Sequence, residues 1–175
     1  MSALILGVGN ILLGDEGIGI RVVEELENRF AFPEEIMLLD GGTAGIELLR
    51  YIDGRDLLIL IDAMRADLAP GTVFKVEGED VAKRFMTKIS PHQIGLSDLL
   101  AAAILSEQMP KQNTLYGVEP ESLETGIVLS PAVEASVEKI ISAILTELEA
   151  AGYPSPTPIA SPAKSKFWSD VAMLP

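Results

Sequence analysis

The chain has 175 residues, 48% of them hydrophobic, and a formal charge of −13, with one histidine and no cysteine. That length suits one domain with a substantial core. The charge repels phosphate backbones and anionic lipid headgroups, which excludes nucleic acid and membrane surfaces as expected partners. Without thiolates, any metal must be held by carboxylate, imidazole or backbone oxygen. Ala3 to Val8 reads as a first buried strand, followed by a Gly-rich turn and a helix from Ile18 to about Arg29. Ile36 to Leu39 reads as a second strand, Gly45 to Tyr51 as a short helix, and Leu57 to Ile61 as a third strand, apolar throughout and so expected at the centre of the sheet. Val73 to Val76 follows the Pro70-Gly71 turn as a fourth strand. Leu96 to Leu105 has helical spacing, and Asn113 to Val118 makes a fifth strand. Ser130-Pro131 supplies a hydroxyl N-cap with proline at the first helical position, opening a helix through Val133, Val137, Ile140, Ile144 and Leu148 that Gly152 ends.

Strand and helix alternate, the pattern of parallel strands joined by crossover helices. The expected fold is three-layer α/β/α: a twisted, mostly parallel five-stranded sheet with helices on both faces. Residues 1–152 form this domain. In 153–175, Pro154, Pro156, Pro158 and Pro162 alternate with Ser, Thr and Ala, a composition that favours an extended tail. Met1-Ser2-Ala3-Leu4 has no basic stretch or small-residue cleavage site, and no run reaches the roughly 18 apolar residues of a membrane span, so the expected location is cytoplasmic.

The segment Gly7 to Gly19, GVGNILLGDEGIG, has the outline of a dinucleotide loop: Gly7-x-Gly9 follows a strand, and Asp40 ends the next one, where a ribose contact would lie. The third glycine of that fingerprint falls on Leu12, however, and Asp15 and Glu16 stand at the helix start where a pyrophosphate would sit. Adjacent carboxylates repel phosphate and suit a cation. One of them is accounted for by the helix macrodipole; one helix start does not need both. Asp62 follows the Leu57–Ile61 strand at its C-terminal end, the edge where ligands bind in open α/β sheets. His92 precedes the Leu96–Leu105 helix; alone it would read as a structural histidine. Together Glu16, Asp62 and His92 make a three-donor site with open positions, and mixed oxygen and nitrogen ligation suits zinc or nickel.

Asp15-Glu16-Gly17, Asp40-Gly41-Gly42-Thr43-Ala44-Gly45, Asp62-Ala63, Ser90-Pro91-His92-Gln93-Ile94-Gly95-Leu96, Tyr116-Gly117-Val118-Glu119-Pro120-Glu121 and the Leu129-Ser130 helix start are similar, in order and spacing, to the motifs of the hydrogenase maturation endopeptidases. The resemblance covers about Leu4 to Ala150. It implies an endopeptidase of aspartyl type that removes the C-terminal extension of a [NiFe] hydrogenase large-subunit precursor after nickel insertion. The family's nickel ligands map onto Glu16, Asp62 and His92; relatives with Asp at the first position keep the same hard oxygen donor. The nickel is then supplied by the substrate, and zinc or cadmium is expected to substitute for it in vitro. Also implied is a monomer that meets its substrate transiently. Asp40, at the strand end, is the candidate for a further role near the cleft, as a water-orienting base or substrate contact, with a cap for the Gly41-Gly42 turn as the equal alternative. Asn10, Gly41, Gly42 and Thr43 are the expected substrate contacts. Two other classes stay open: a metal-recognition chaperone without catalysis, and a Rossmann-type enzyme. The sequence has no Ser, His and acid order with defensible geometry and no HExxH zinc motif.

Overall fold

In chain order the strands are β1 (Ala3–Val8), β2 (Phe30–Ala31), β3 (Ile36–Gly42), β4 (Leu57–Ala63), β5 (Val73–Glu77), β6 (Gln112–Val118) and β7 (Thr157–Pro158). The helices are α1 (Ile18–Arg29), α2 (Leu49–Ile52), α3 (Glu79–Met86), α4 (Pro91–Leu105), α5 (Pro131–Glu134) and α6 (Val137–Ala150). The computed structural model describes residues 1–86 and 91–160, and of residues 86 and 91–93 the backbone alone. Five strands form one sheet in the order β3-β1-β4-β6-β5, with β3, β1, β4 and β6 parallel and β5 antiparallel at one edge. The expected mostly parallel five-stranded sheet is what the chain forms.

Each central strand feeds two cores because its side chains alternate between faces. Ala3 and Ile5 of β1 and Leu57, Ile59 and Ile61 of β4 pack under α1 and α6, whose Ile18, Val22, Leu26, Ile140, Ile144 and Leu148 close that side. Leu4, Leu6, Leu58 and Leu60 point the other way, against Ile52, Val81, Phe85, Leu96 and Leu100 of α2, α3 and α4. Burial on both faces is why β1 and β4 read as unbroken apolar runs. Three layers result, with the helices divided between the two faces.

Four local features depart from the expected elements. Helix α3 was not anticipated. It is short, but Val81 and Phe85 lie on one face at i and i+4 and are fully buried, and acids in its first turn with bases in its last complement its dipole. Helix α4 begins at Pro91, five residues before the expected Leu96, so His92 belongs to the first helical turn. The long helix expected after Ser130 is divided into α5 and α6 at Ala135-Ser136. Ser130 does cap α5, its hydroxyl accepting from the Val133 N–H. Buried Ser136 then donates its hydroxyl to the Val133 carbonyl and breaks the helical ladder there. The last turn of α6 closes as expected: the Gly152 N–H bonds to Glu149 and the Tyr153 N–H to Leu148, with Gly152 at φ +81°. Finally, β7 pairs antiparallel with β2 and Tyr153 is buried. The expected tail thus begins with residues that contact the domain, and residues 161–175 lie outside the described part.

Glu147 of α6 joins that helix to β6 and to edge strand β5: its carboxylate accepts from the Thr114 hydroxyl at 2.5 Å and the Tyr116 hydroxyl at 2.6 Å, both of β6, and pairs with the Lys75 ammonium of β5 at 3.2 Å. Burial, and then the bond to Glu147, push the Tyr116 phenol well above its ordinary range. The folded state therefore holds that proton more tightly than the unfolded chain. The resulting stabilisation is complete below the unfolded pKa of about 10 and is lost as pH rises beyond it. Tyr116→Phe is expected to cost about 1 kcal/mol at neutral pH through the lost hydrogen bond and to flatten the alkaline fall in the urea midpoint. An equally steep fall in the variant would exclude Tyr116 as its cause.

Candidate active site

The C-terminal edge of the parallel strands collects the acids singled out in the sequence. Asp62, next to last in β4, is fully buried and lies in register with Gly117 of β6. Glu16 is also buried, in a short 3-10 turn (Gly14–Gly17) between β1 and α1 that packs against β4. Glycines make this approach possible. A Cβ on Gly9, whose φ is +135°, would fall 1.8 Å from the Glu16 carbonyl oxygen. One on Gly19 would fall 2.2 Å from the carbonyl oxygen of Ile61 and 2.5 Å from that of Val8. The start of α1 thus rests directly on the ends of β1 and β4, and this seats the turn carrying Glu16 beside the strand end carrying Asp62. The same contacts argue against the dinucleotide reading, because a carbonyl oxygen fills the space over Gly9 that a phosphate would need to approach the backbone.

Asp15 and Glu16 divide their tasks. The Asp15 carboxylate accepts from the backbone N–H groups of Glu121 at 2.9 Å, Ser122 at 3.0 Å and Ser130 at 2.6 Å, and from the Ser130 hydroxyl at 2.9 Å. It thereby anchors the loop after β6 to the turn. Glu119 performs a similar service on the neighbouring segment, its carboxylate accepting from the N–H groups of Ala66 and Leu68. Neither role was expected. The donors lie 106 to 115 residues from Asp15 and 51 to 53 from Glu119, and no local pattern marks them.

On the β3 side, Asp40 is exposed and its Oδ1 accepts from the Gly42 N–H at 2.9 Å, so the expected turn cap is present. Gly41 is buried, and a Cβ there would meet Leu6 and Leu48 of the core, so the missing side chain at Gly41 serves packing. Gly42 takes φ +51° and its carbonyl accepts from Gly9, which joins the two loops. Thr43 is exposed. The Asn10 side-chain oxygen accepts from the Leu12 N–H at 3.0 Å and closes the first loop. His92 lies in the opening turn of α4, and its side chain lies outside the described residues. Gly95, one turn later, places its Cα 3.1 Å from where a Cβ on Gly45 would lie, so this turn abuts the loop that follows Asp40. Among the described residues no three His, Cys, Asp or Glu side chains form a group able to hold a metal. A groove of about 810 Å³ opens at the other end of the sheet, lined by Leu57, Lys75, Gln112, Tyr116 and Glu147. It runs along β6 from Gln112, in register with Leu57, to Tyr116, in register with Ile61, and its lining includes none of Glu16, Asp40 and Asp62.

Residues 20–147 match the family model described as hydrogenase maturation protease. The chain is 50% identical over 153 residues to the hydrogenase 2 maturation protease of Escherichia coli, covering 87% of this chain and 93% of that one. The chain belongs to the hydrogenase maturation protease family. It is also 43% identical over 154 residues to the hydrogenase expression/formation protein HoxM of Azotobacter vinelandii, covering 86% of this chain and 74% of that one. Among solved structures it superposes on the hydrogenase maturating endopeptidase HybD of E. coli with a TM-score of 0.86 at 48% identity, over 90% of this chain and 98% of that one. With the [NiFe] hydrogenase maturation protease HybD of Thermococcus kodakarensis the TM-score is 0.70 at 27% identity, over 84% and 99%. As a hydrogenase maturation protease the protein is a hydrolase acting on peptide bonds. No helix among its described residues is long and apolar enough to cross a membrane.

In this protease, truncating Asp15 strands three backbone donors at once. Asp15→Ala is expected to cost about 3 kcal/mol in urea unfolding, the scale of charge-assisted bonds lost at a buried site, and to open residues 121–130 to limited proteolysis. Wild-type stability together with wild-type protection of that loop would show that the anchor lies elsewhere.

Proposed function

We propose that the protein removes the C-terminal extension of the large-subunit precursor of a [NiFe] hydrogenase after nickel has been inserted, recognising that nickel through Glu16, Asp62 and His92. The observation that carries this reading is the seating of two buried carboxylates, from separate elements, at the sheet edge of a hydrogenase maturation protease. Carboxylate oxygen with imidazole nitrogen is a donor set suited to a borderline divalent ion, and three protein donors leave room for the ligands the precursor already supplies. Nickel belongs to the substrate here. A precursor without it offers these residues nothing to hold, so the metal acts as a checkpoint for maturation. Asp40, exposed near the end of β3, is proposed to orient a water or contact the peptide, with Asn10, Gly42 and Thr43 as further substrate contacts.

The test is cleavage of a nickel-loaded precursor, read as loss of the C-terminal peptide by mass. Glu16→Gln, Asp62→Asn and His92→Ala are each expected to lower kcat/KM at least a hundredfold, the scale on which misplacing a reacting group acts. Full cleavage by all three would remove the ligand assignment. Nickel-free precursor is expected to remain intact, and equal rates on both forms would refute the checkpoint while leaving the protease. Binding of precursor by the wild type without any change in its mass would instead favour a metal-recognition chaperone.

A further inference from the structure

Several large apolar side chains lie exposed around the carboxylates. Leu12, Ile46, Leu68, Ile94 and Val128 are between 44% and 60% exposed, and all sit in loops or a first helical turn at the C-terminal edge of the sheet. Four of them form two pairs. The Gly126 N–H donates to the Leu12 carbonyl at 2.9 Å, and the Gly14 N–H to the Gly126 carbonyl at 2.8 Å, which ties the loop bearing Leu12 to the one bearing Val128. Ile46 and Ile94 flank the Gly45–Gly95 contact, each one residue from it. The pairs stand on opposite faces of the sheet: Leu129, beside Val128, packs into the α1/α6 core, whereas Leu48 and Leu96, two residues from Ile46 and Ile94, pack into the α2/α3/α4 core. Glu16 and Asp62, at the sheet edge itself, lie between the two faces.

Exposed apolar side chains carry a cost that a solitary protein has no reason to concentrate at one edge, and concentration beside a site marks a contact surface. We propose that Leu12 with Val128, and Ile46 with Ile94, form two apolar walls that seat the extended C-terminal segment of the hydrogenase precursor, gripping apolar side chains on either side of the scissile bond. The proposal rests on the reading of the protein as the protease of that precursor. An extended peptide is favoured because its side chains alternate in direction, so one segment crossing the sheet edge meets both walls at once. Charge limits its composition: exposed Asp40, Glu47, Glu121 and Glu124 lie in the same loops and repel an acidic segment, so the occupant is apolar with neutral or basic neighbours. Leu68, held beside Glu119 at the end of β6, extends the rim on the α3 side.

The experiment measures steady-state cleavage of nickel-loaded precursor by full-length Leu12→Ser/Val128→Ser, Ile46→Ser/Ile94→Ser and, at the far end of α4, Ile104→Ser/Leu105→Ser. Each wall variant is expected to raise KM about tenfold with kcat within about twofold, as for loss of apolar contacts made equally in ground and transition states. Thermal midpoints should stay at the wild-type value because the side chains are exposed, and the Ile104→Ser/Leu105→Ser control should keep wild-type KM. Wild-type KM in both wall variants, or an equal rise in the control, would overturn the proposal. Failure of the wild type to cut the precursor defeats the protease reading alone. Calorimetric Kd values for the same precursor then decide the docking claim: about tenfold weakening in the wall variants upholds it, and unchanged Kd values refute it.

Discussion

The Glu16 carbonyl occupies the space a side chain on Gly9 would need, and the carbonyls of Val8 and Ile61 do the same over Gly19. These contacts are between backbones, so they admit almost no adjustment, and they bring an element that follows β1 onto the ends of two strands. From them comes the position of Glu16, the direction in which α1 leaves the sheet edge, and the closure of one layer of the core by Ile18, Val22 and Leu26. The glycines of the first loop serve the packing of the protein against itself. A nucleotide-binding protein uses the same resource, a backbone without side chains, to admit phosphate oxygens; here the carbonyl of an acidic residue has taken their place.

The second constraint is electrostatic. Buried carboxylates are costly unless donors surround them, and Asp15 has four. With that arrangement the loop from Glu121 to Ser130 is held by the same turn that carries Glu16, so the loop bearing Val128 and the proposed ligand move as one unit. The macrodipole account, in which one acid at the helix start is sufficient explained by local charge, understates Asp15: its partners are distant loop donors, and the residue organises tertiary structure.

The sheet was legible because β1 and β4 are buried on both faces, which leaves an apolar run no polar residue can interrupt, and because Asp62 punctuates the run of β4 and Asp40 that of β3. The Ser130 cap and the Gly152 stop were legible because both act within a few residues of themselves. Features made by distant partners were not: the donors of Asp15, those of Glu119, and the two-residue pairing of β2 with β7 leave no periodic trace. Helix α3 is eight residues long and its apolar pattern, Val81 with Ala82 and Phe85 with Met86, repeats just once, too little to tell from a loop until β6 is seen beneath it. Gly41 illustrates the remaining gap, since the same glycine that reads as room for an incoming peptide is spent on Leu6 and Leu48 of the core.

Under the proposed function, the apolar walls and the metal-holding residues contribute to recognition in different ways. Contacts with Leu12, Val128, Ile46 and Ile94 are available to nickel-loaded and empty precursor alike, so they raise affinity without discriminating. Discrimination is the difference between the two forms, and only groups that meet the metal supply it. Each 1.4 kcal/mol gained at the metal is about a tenfold preference for the loaded precursor. Walls strong enough to saturate the protease with empty precursor would block it with the form it must leave alone. A checkpoint therefore works best with modest apolar contacts around a charged centre, and two small pairs of exposed side chains, in place of one broad apolar face, meet that requirement.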